Sequence, residues 1–123
     1  MKLLIVEDEP NLLSVIKRGF SENNHDVSAA MDGTTALMML ENHHFDAVIL
    51  DLMLPDIDGF GVCEILRREA RTAAIPIVIL TAWATTDARS LGLELGALDY
   101  LTKPFSPREL TSRVQRLLNL RAE

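Results

Sequence analysis

Five times along this chain an apolar run stops at a polar residue and gives way to a helical stripe, and this alternation constrains the fold more than any other feature. Lys2–Val6 reads as a buried strand, and Leu12, Leu13, Ile16 and Phe20 then recur at helical spacing. The turn cluster Asn23-Asn24-His25-Asp26 leads into a short strand near Val27–Ala29, and Asp32-Gly33 breaks the chain before a helix carrying Ala36, Leu37 and Leu40. Ala47-Val48-Ile49-Leu50 is fully apolar and stops at Asp51. After a loop marked by Pro55 and Gly59, Val62, Ile65 and Leu66 give another helical face. Ile77-Val78-Ile79-Leu80 stops at Thr81, a helix is expected over Asp87–Leu95, and a last strand near Leu98–Leu101 precedes Lys103-Pro104. Pro107 fits the first turn of a final helix with Leu110, Val114, Leu117 and Leu118 on one side. Strands alternating with helices require a mostly parallel sheet with helices on both faces. The central strands are continuously apolar because both of their faces are covered.

No linker, repeat or low-complexity tract divides the 123 residues, so 1–123 is expected to form one domain. A domain of this length buries roughly two-thirds of its extended-chain surface and needs no staples. Cys63 is the only cysteine, which precludes an internal disulfide and suggests a reducing, cytoplasmic setting. The opening apolar run ends at Glu7, too short for a signal peptide, and no run approaches the ~18 residues that span a bilayer. Eighteen acids against twelve bases give a net charge of −6. The excess lies in residues 1–61, with eleven acids and three bases, whereas 62–123 hold seven and nine. Such a chain lacks the basic footprint of a nucleic-acid binder, so any DNA contact would need another domain. The acids of the first half suit a cation site or a solubilising surface.

In an open parallel sheet, ligands bind beyond the carboxyl ends of the strands, near the point where strand order reverses. Glu7 and Asp8 follow the first strand, Asp51 the strand at 47–50, Thr81 the strand at 77–80 and Lys103 the last. Taken singly, an Asp after a strand is a turn or cap residue, a Thr there a β-former, and a Lys-Pro pair a loop. Their coincidence at four strand ends carries the argument. Three clustered carboxylates repel one another unless a cation joins them. Oxygen ligands select a hard divalent ion, and Mg²⁺ is expected because it retains waters and an open position for phosphate. With the Lys103 ammonium and the Thr81 hydroxyl, the set suits phosphoryl transfer, in which an aspartate can itself be the nucleophile.

Four segments carry a resemblance: Leu4-Ile5-Val6-Glu7-Asp8-Glu9, Val48-Ile49-Leu50-Asp51-Leu52-Met53-Leu54-Pro55, Ile79-Leu80-Thr81-Ala82 and Tyr100-Leu101-Thr102-Lys103-Pro104-Phe105. Over essentially its whole length the chain resembles the receiver domains of bacterial two-component response regulators, most closely those of the winged-helix DNA-binding class. The resemblance implies a flavodoxin-like α/β fold, a doubly wound five-stranded parallel sheet ordered 2-1-3-4-5 and flanked by five helices. It implies a signalling switch that accepts a phosphoryl group from a sensor histidine kinase onto Asp51 and controls an output such as transcription. Such a domain is no multiple-turnover enzyme; it catalyses only its own phosphorylation and dephosphorylation. By the same resemblance Asp8 is a direct Mg²⁺ ligand, Glu7 acts through water, and the Met53 backbone carbonyl completes the protein ligands. Lys103 pairs with the phosphoryl oxygens, Thr81 and Tyr100 form the switch pair, and the Lys103–Pro104 bond is cis. Met53 and Trp83 flank the path of the attacking water; neither can act as a general base, and both are expected to tune the lifetime of the phosphorylated state.

Winged-helix regulators dimerise through the last two helices and the last strand, where this chain carries Arg89, Glu94, Asp99, Glu109 and Arg113. Arg89–Glu109 and Asp99–Arg113 fit the charge pairs of a phosphorylation-dependent homodimer, while Leu98, Gln115 and Leu120 depart from the family's usual charges there. On a monomer the same residues form a solvated face whose pairs are worth little. The alternative from another class is a Mg²⁺-dependent phosphohydrolase with an aspartyl-phosphate intermediate. Asp56-Ile57-Asp58-Gly59 imitates the start of a haloacid-dehalogenase-type phosphatase, but there the first Asp directly ends a strand and here Pro55 precedes it. Gly59-Phe60-Gly61 is no dinucleotide fingerprint, since the turn after the first strand, Glu7-Asp8-Glu9-Pro10, is hostile to a pyrophosphate. His25, His43 and His44 read as turn or surface residues, and Cys63 as a small residue within a helix rather than a nucleophile.

Overall fold

The computed structural model of the chain describes residues 1–83 and 85–122, with side chains throughout except at 118 and 120–122. The expected contributions of Leu118 and Leu120 therefore fall outside the described residues. Five strands and five helices alternate: β1 (Lys2–Val6), α1 (Pro10–Glu22), β2 (Asp26–Ala30), α2 (Gly33–Asn42), β3 (Ala47–Leu50), α3 (Gly59–Arg68), β4 (Ile77–Thr81), α4 (Thr86–Glu94), β5 (Asp99–Thr102) and α5 (Pro107–Ala122). The sheet is parallel throughout and ordered β2-β1-β3-β4-β5.

The period-2 alternation of the strands sorts the core into two layers. Leu4, Val6, Val48, Leu50, Ile77, Ile79 and Tyr100 pack with Ala36 and Leu40 of α2, Val62, Cys63 and Leu66 of α3, and Ala88 of α4. Leu3, Ile5, Ala47, Ile49, Val78, Leu80 and Leu101 face the other way, onto Ile16 and Phe20 of α1 and Leu110 and Val114 of α5. Burying each larger side chain contributes roughly 1.5–3 kcal/mol, and slipping a strand by one residue would exchange the two layers.

Three details differ from the sequence reading. The buried face of α3 uses Cys63 rather than Ile65, which is 37% exposed. β5 begins one residue later, at Asp99, although Leu98 N–H already donates to the Ile77 carbonyl of β4 at 2.8 Å. His25 is half-buried rather than a plain turn residue: its Nε2 lies 2.5 Å from Gln115 Oε1, and its ring meets Phe20 edge-on. Gln115 is thereby turned toward α1, away from the face on which it was expected.

Helix starts consume several of the acids. Glu9 accepts from the N–H groups of Asn11 and Leu12, Asp32 from Thr35 and Asp58 from Gly61, the usual satisfaction of free amides in a first turn. At the other end of α4, Gly96 adopts φ +89°, a left-handed conformation that glycine enters without a Cβ penalty. Arg67 fastens this corner, donating to the carbonyls of Leu95, Gly96, Ala73 and Ile75.

Candidate functional site

Strand order and register assemble the site. β1 lies between β2 and β3, so the order reverses there, and Val6 pairs with Leu50. The next residue on each strand, Glu7 and Asp51, therefore emerges side by side at the carboxyl edge. Asp51 N–H donates to the Val6 carbonyl at 3.0 Å, and Glu7 N–H to the Ala30 carbonyl. β4 delivers Thr81 to the same edge, and Lys103 N–H donates to the Thr81 carbonyl at 2.8 Å, which brings in the residue just after β5. The Lys103–Pro104 peptide is cis, as expected.

Carboxylate oxygens of Glu7, Asp8 and Asp51 lie within 4.8 Å of one another. Glu7 and Asp51 are buried, at 1% and 3% exposure, whereas Asp8 is open to solvent. Lys103 Nζ bridges the two buried acids, 2.5 Å from Glu7 Oε1 and 2.8 Å from Asp51 Oδ2. The other Asp51 oxygen accepts from the Met53 N–H at 3.0 Å, so the carboxylate is held from two sides. Burial, then the hydrogen bond with Asp51, raises the Glu7 pKa well above the ordinary carboxylate range, against the opposing pull of Lys103. Burial acts to lower the Lys103 pKa, but its bonds to Asp51 and Glu7 outweigh this and hold the ammonium above its usual value. One ammonium cannot neutralise three carboxylates. That shortfall, with an all-oxygen donor set and one solvent-facing acid, fits a hard divalent cation that keeps part of its water.

Beside this cluster opens a cleft of about 780 Å³ lined by Asp8, Leu52, Met53, Leu54, Pro55, Asp58, Ala82 and Trp83. Met53 and Trp83 are 59% and 44% exposed, and both line it. Thr81 is fully buried, and its hydroxyl accepts from the Trp83 N–H at 3.2 Å, which leaves its own proton free to donate. Tyr100 lies inward, 2% exposed, with its hydroxyl donating to the Trp83 carbonyl. Burial raises the Tyr100 pKa and keeps it a protonated donor.

The remaining expectations sort clearly. Asp56 is not at the cluster but caps α2, accepting from the Gly33 and Thr34 N–H groups and the Thr34 hydroxyl; the bonds from Thr34 drive its pKa far below the usual carboxylate value. With Asp58 capping α3, both acids of the phosphatase-like segment are spent on helix starts. Burial pushes the Cys63 thiol up to about 11, leaving it protonated and unsuited to nucleophilic chemistry. Asp99 and Arg113 do pair, at 3.2 Å, but within the chain, and Arg113 also approaches Glu109 at 3.8 Å. Arg89 stacks over the Tyr100 ring at 5.2 Å and is not paired with Glu109 among the described residues. A second groove of about 710 Å³, between α1 and α5, contains none of the site residues. Sequence reasoning missed Phe60, whose ring meets the Trp83 indole edge-on at 5.6 Å, because nothing in its local sequence marks the contact.

Comparison with known proteins agrees with this geometry. The family model of the response regulator receiver domain matches residues 3–115. The alkaline phosphatase synthesis transcriptional regulatory protein PhoP of Bacillus subtilis is 43% identical over 117 residues, covering 95% of this chain and 48% of that protein. The chain thus spans about half the length of the curated relatives it matches. Among solved structures, the receiver domain of the Francisella response regulator 1452 superposes with a TM-score of 0.89 at 37% identity, covering 99% of this chain and 98% of that one. The receiver domain of the sensor histidine kinase PA1611 of Pseudomonas aeruginosa, with a magnesium ion coordinated in its active site cleft, gives 0.86 at 33% identity, covering 96% and 97%. Family match, strand order and acidic cleft converge, and the chain belongs to the response regulator receiver domains of two-component signalling.

Proposed function

We propose that Asp51 accepts a phosphoryl group from the phosphohistidine of a sensor histidine kinase, with Mg²⁺ held by Asp8, Asp51, the Met53 carbonyl and, through water, Glu7. The observation that carries this reading is the two-sided grip on Asp51, by Lys103 at 2.8 Å and the Met53 N–H at 3.0 Å, in a cluster of three carboxylates. An Asp51 oxygen forms the new bond to phosphorus as the bond to the donor imidazole breaks, and the imidazole, protonated on its other nitrogen, leaves neutral. The Lys103 and Met53 contacts hold the nucleophile in one orientation, which lowers the entropic cost of an in-line approach. Bound Mg²⁺ supplies charge neutralisation for the phosphoryl oxygens. Lys103 exchanges a carboxylate oxygen for a phosphoryl oxygen at little cost, since its ammonium stays paired throughout. The free Thr81 proton is the donor for the third phosphoryl oxygen. Because Thr81 and Tyr100 both bond to the peptide groups of Trp83, moving the Thr81 hydroxyl disturbs the contact that joins the two side chains.

The domain catalyses only its own phosphorylation and hydrolysis, and the face of α4, β5 and α5 carries the signal to a homodimer partner and, in a longer protein, to a DNA-binding effector. Relatives about twice as long that are transcriptional regulators support this output. Incubation with acetyl phosphate and Mg²⁺ should add one phosphoryl group, detected by intact-protein mass spectrometry, and Asp51→Asn should remove it. Unchanged labelling of the Asn variant would overturn the assignment. The phosphohydrolase alternative requires release of phosphate over many turnovers from small phosphoesters, and its sequence support has gone to helix capping.

A further inference from the structure

Phe60 is the second residue of α3, and backbone contacts tie the start of that helix to the strand bearing Asp51. Gly59 N–H donates to the Leu52 carbonyl at 2.9 Å, and a Cβ added at Gly59 would stand 2.6 Å from Leu52 Cα and 2.7 Å from the Asp51 carbonyl oxygen. Phe60 therefore rides on backbone in contact with Asp51 itself. Its half-buried ring meets the indole of Trp83 edge-on, with centroids 5.6 Å apart and planes at 60°. Trp83 in turn holds both switch hydroxyls through its peptide groups, its N–H on Thr81 and its carbonyl on Tyr100. The aromatic pair is thus a strut between the wall carrying Asp51 and the segment carrying the switch. Such pairs are directional, which an aliphatic side chain of similar volume cannot reproduce.

We propose that Phe60 is a positioning residue for the chemistry at Asp51: through its edge-to-face contact it fixes Trp83 against the cleft and so sets the lifetime of the acyl phosphate. This rests on Asp51 being the phosphoacceptor. With the strut in place, the indole stays on the cleft wall and limits the approach of water. Without it, Trp83 loses its aromatic partner on α3, and the indole is freer to leave the cleft wall. A simple space-filling role is the competing account, and leucine would satisfy it.

The test is a double-mutant cycle on Phe60→Leu and Trp83→Leu, with Phe60→Tyr as the conservative replacement. Each protein is labelled with acetyl phosphate and Mg²⁺, freed of donor, and followed as the acyl phosphate decays. Phe60→Leu should decay roughly 2- to 10-fold faster than wild type, Phe60→Tyr should match wild type, and Phe60→Leu should add nothing in the Trp83→Leu background. In unlabelled, metal-free protein, acrylamide should quench Trp83 fluorescence more strongly in Phe60→Leu than in wild type. Equal decay in Phe60→Leu and wild type, a full Phe60→Leu effect without Trp83, or unchanged quenching would overturn the proposal and leave the role of Asp51 standing. Failure of wild type to label would overturn both.

Discussion

Trp83 is the chain's single tryptophan, 44% exposed on the rim of the cleft, and it gathers contacts that its position in a loop does not announce. Met53, which lines the same cleft, has no group able to activate water. The role proposed for the two is exclusion of water rather than chemistry. Trp83→Ala should therefore speed dephosphorylation several-fold while leaving stoichiometric phosphorylation intact, as measured by acyl-phosphate decay after donor removal. An unaltered decay would place the control of lifetime elsewhere. The same residue gives a signal in the wild-type protein: its fluorescence should change when Mg²⁺ or a phosphoryl mimic binds, because Asp8 and Trp83 line one cleft. The family resemblance implied a place near the site for Trp83, two positions after Thr81, but could not show Phe60, because an aromatic pair separated by 23 positions leaves no local pattern.

Among the elements, α3 shows how a helix start can be dictated by its neighbour. Gly59→Ala has two opposing effects. Replacing glycine in a helix gains up to about 1 kcal/mol in propensity, and less at a first position. Overpacking costs about 1–3 kcal/mol, and the obstructing atoms here are backbone atoms of Asp51 and Leu52, which cannot rotate away. The clash should win, lowering the urea midpoint and slowing phosphorylation as Asp51 is displaced. A Gly59→Ala protein as stable as wild type and labelled at the same rate would contradict this. The sequence marked Gly59 only as a loop residue after Pro55, since close approach of two backbones is invisible in one dimension. On the α3 stripe, Val62 and Leu66 are buried as expected but Ile65 is not: Cys63 and Ile65 both fit a helical period, and only the placement of the sheet decides which is covered.

At the scale of the whole molecule, the acidic cluster is expected to couple metal binding to folding. By mass action, Mg²⁺ at ten times its dissociation constant should stabilise the protein by about 1.4 kcal/mol, a rise of roughly 5 °C in Tm for a chain of this size. Asp8→Asn should relieve repulsion on the order of 1 kcal/mol, raising Tm in metal-free buffer and removing most of the Mg²⁺ response. A variant less stable than wild type without metal, yet still stabilised by Mg²⁺, would refute the linkage. Association belongs to this scale as well. The Asp99–Arg113 pair is closed within the chain, so an intermolecular pairing must reuse groups already satisfied and gains little per pair. With beryllium fluoride and Mg²⁺, sedimentation should show a concentration-dependent dimer that weakens with salt and is lost in Arg89→Glu. A monomer at all concentrations would exclude this face as the output.

By itself the sequence determined the ten elements, their order, the two-sided burial of the central strands and the identity of the residues at the strand ends, because periodicity and chain reversal are local properties. Strand ends expose whatever follows them, so Glu7, Asp8, Asp51, Thr81 and Lys103 were legible as one group before any geometry was known. Only the tertiary structure decided how those groups spend their bonds. Lys103 closes on Glu7 as well as Asp51, Trp83 holds the hydroxyls of Thr81 and Tyr100, and Asp56 and Asp58 are taken by helix starts. His25 finds its partner in Gln115, ninety positions away. Each of these depends on which helix lies against which strand, a choice made by burial across the whole sheet rather than by any residue's immediate neighbours.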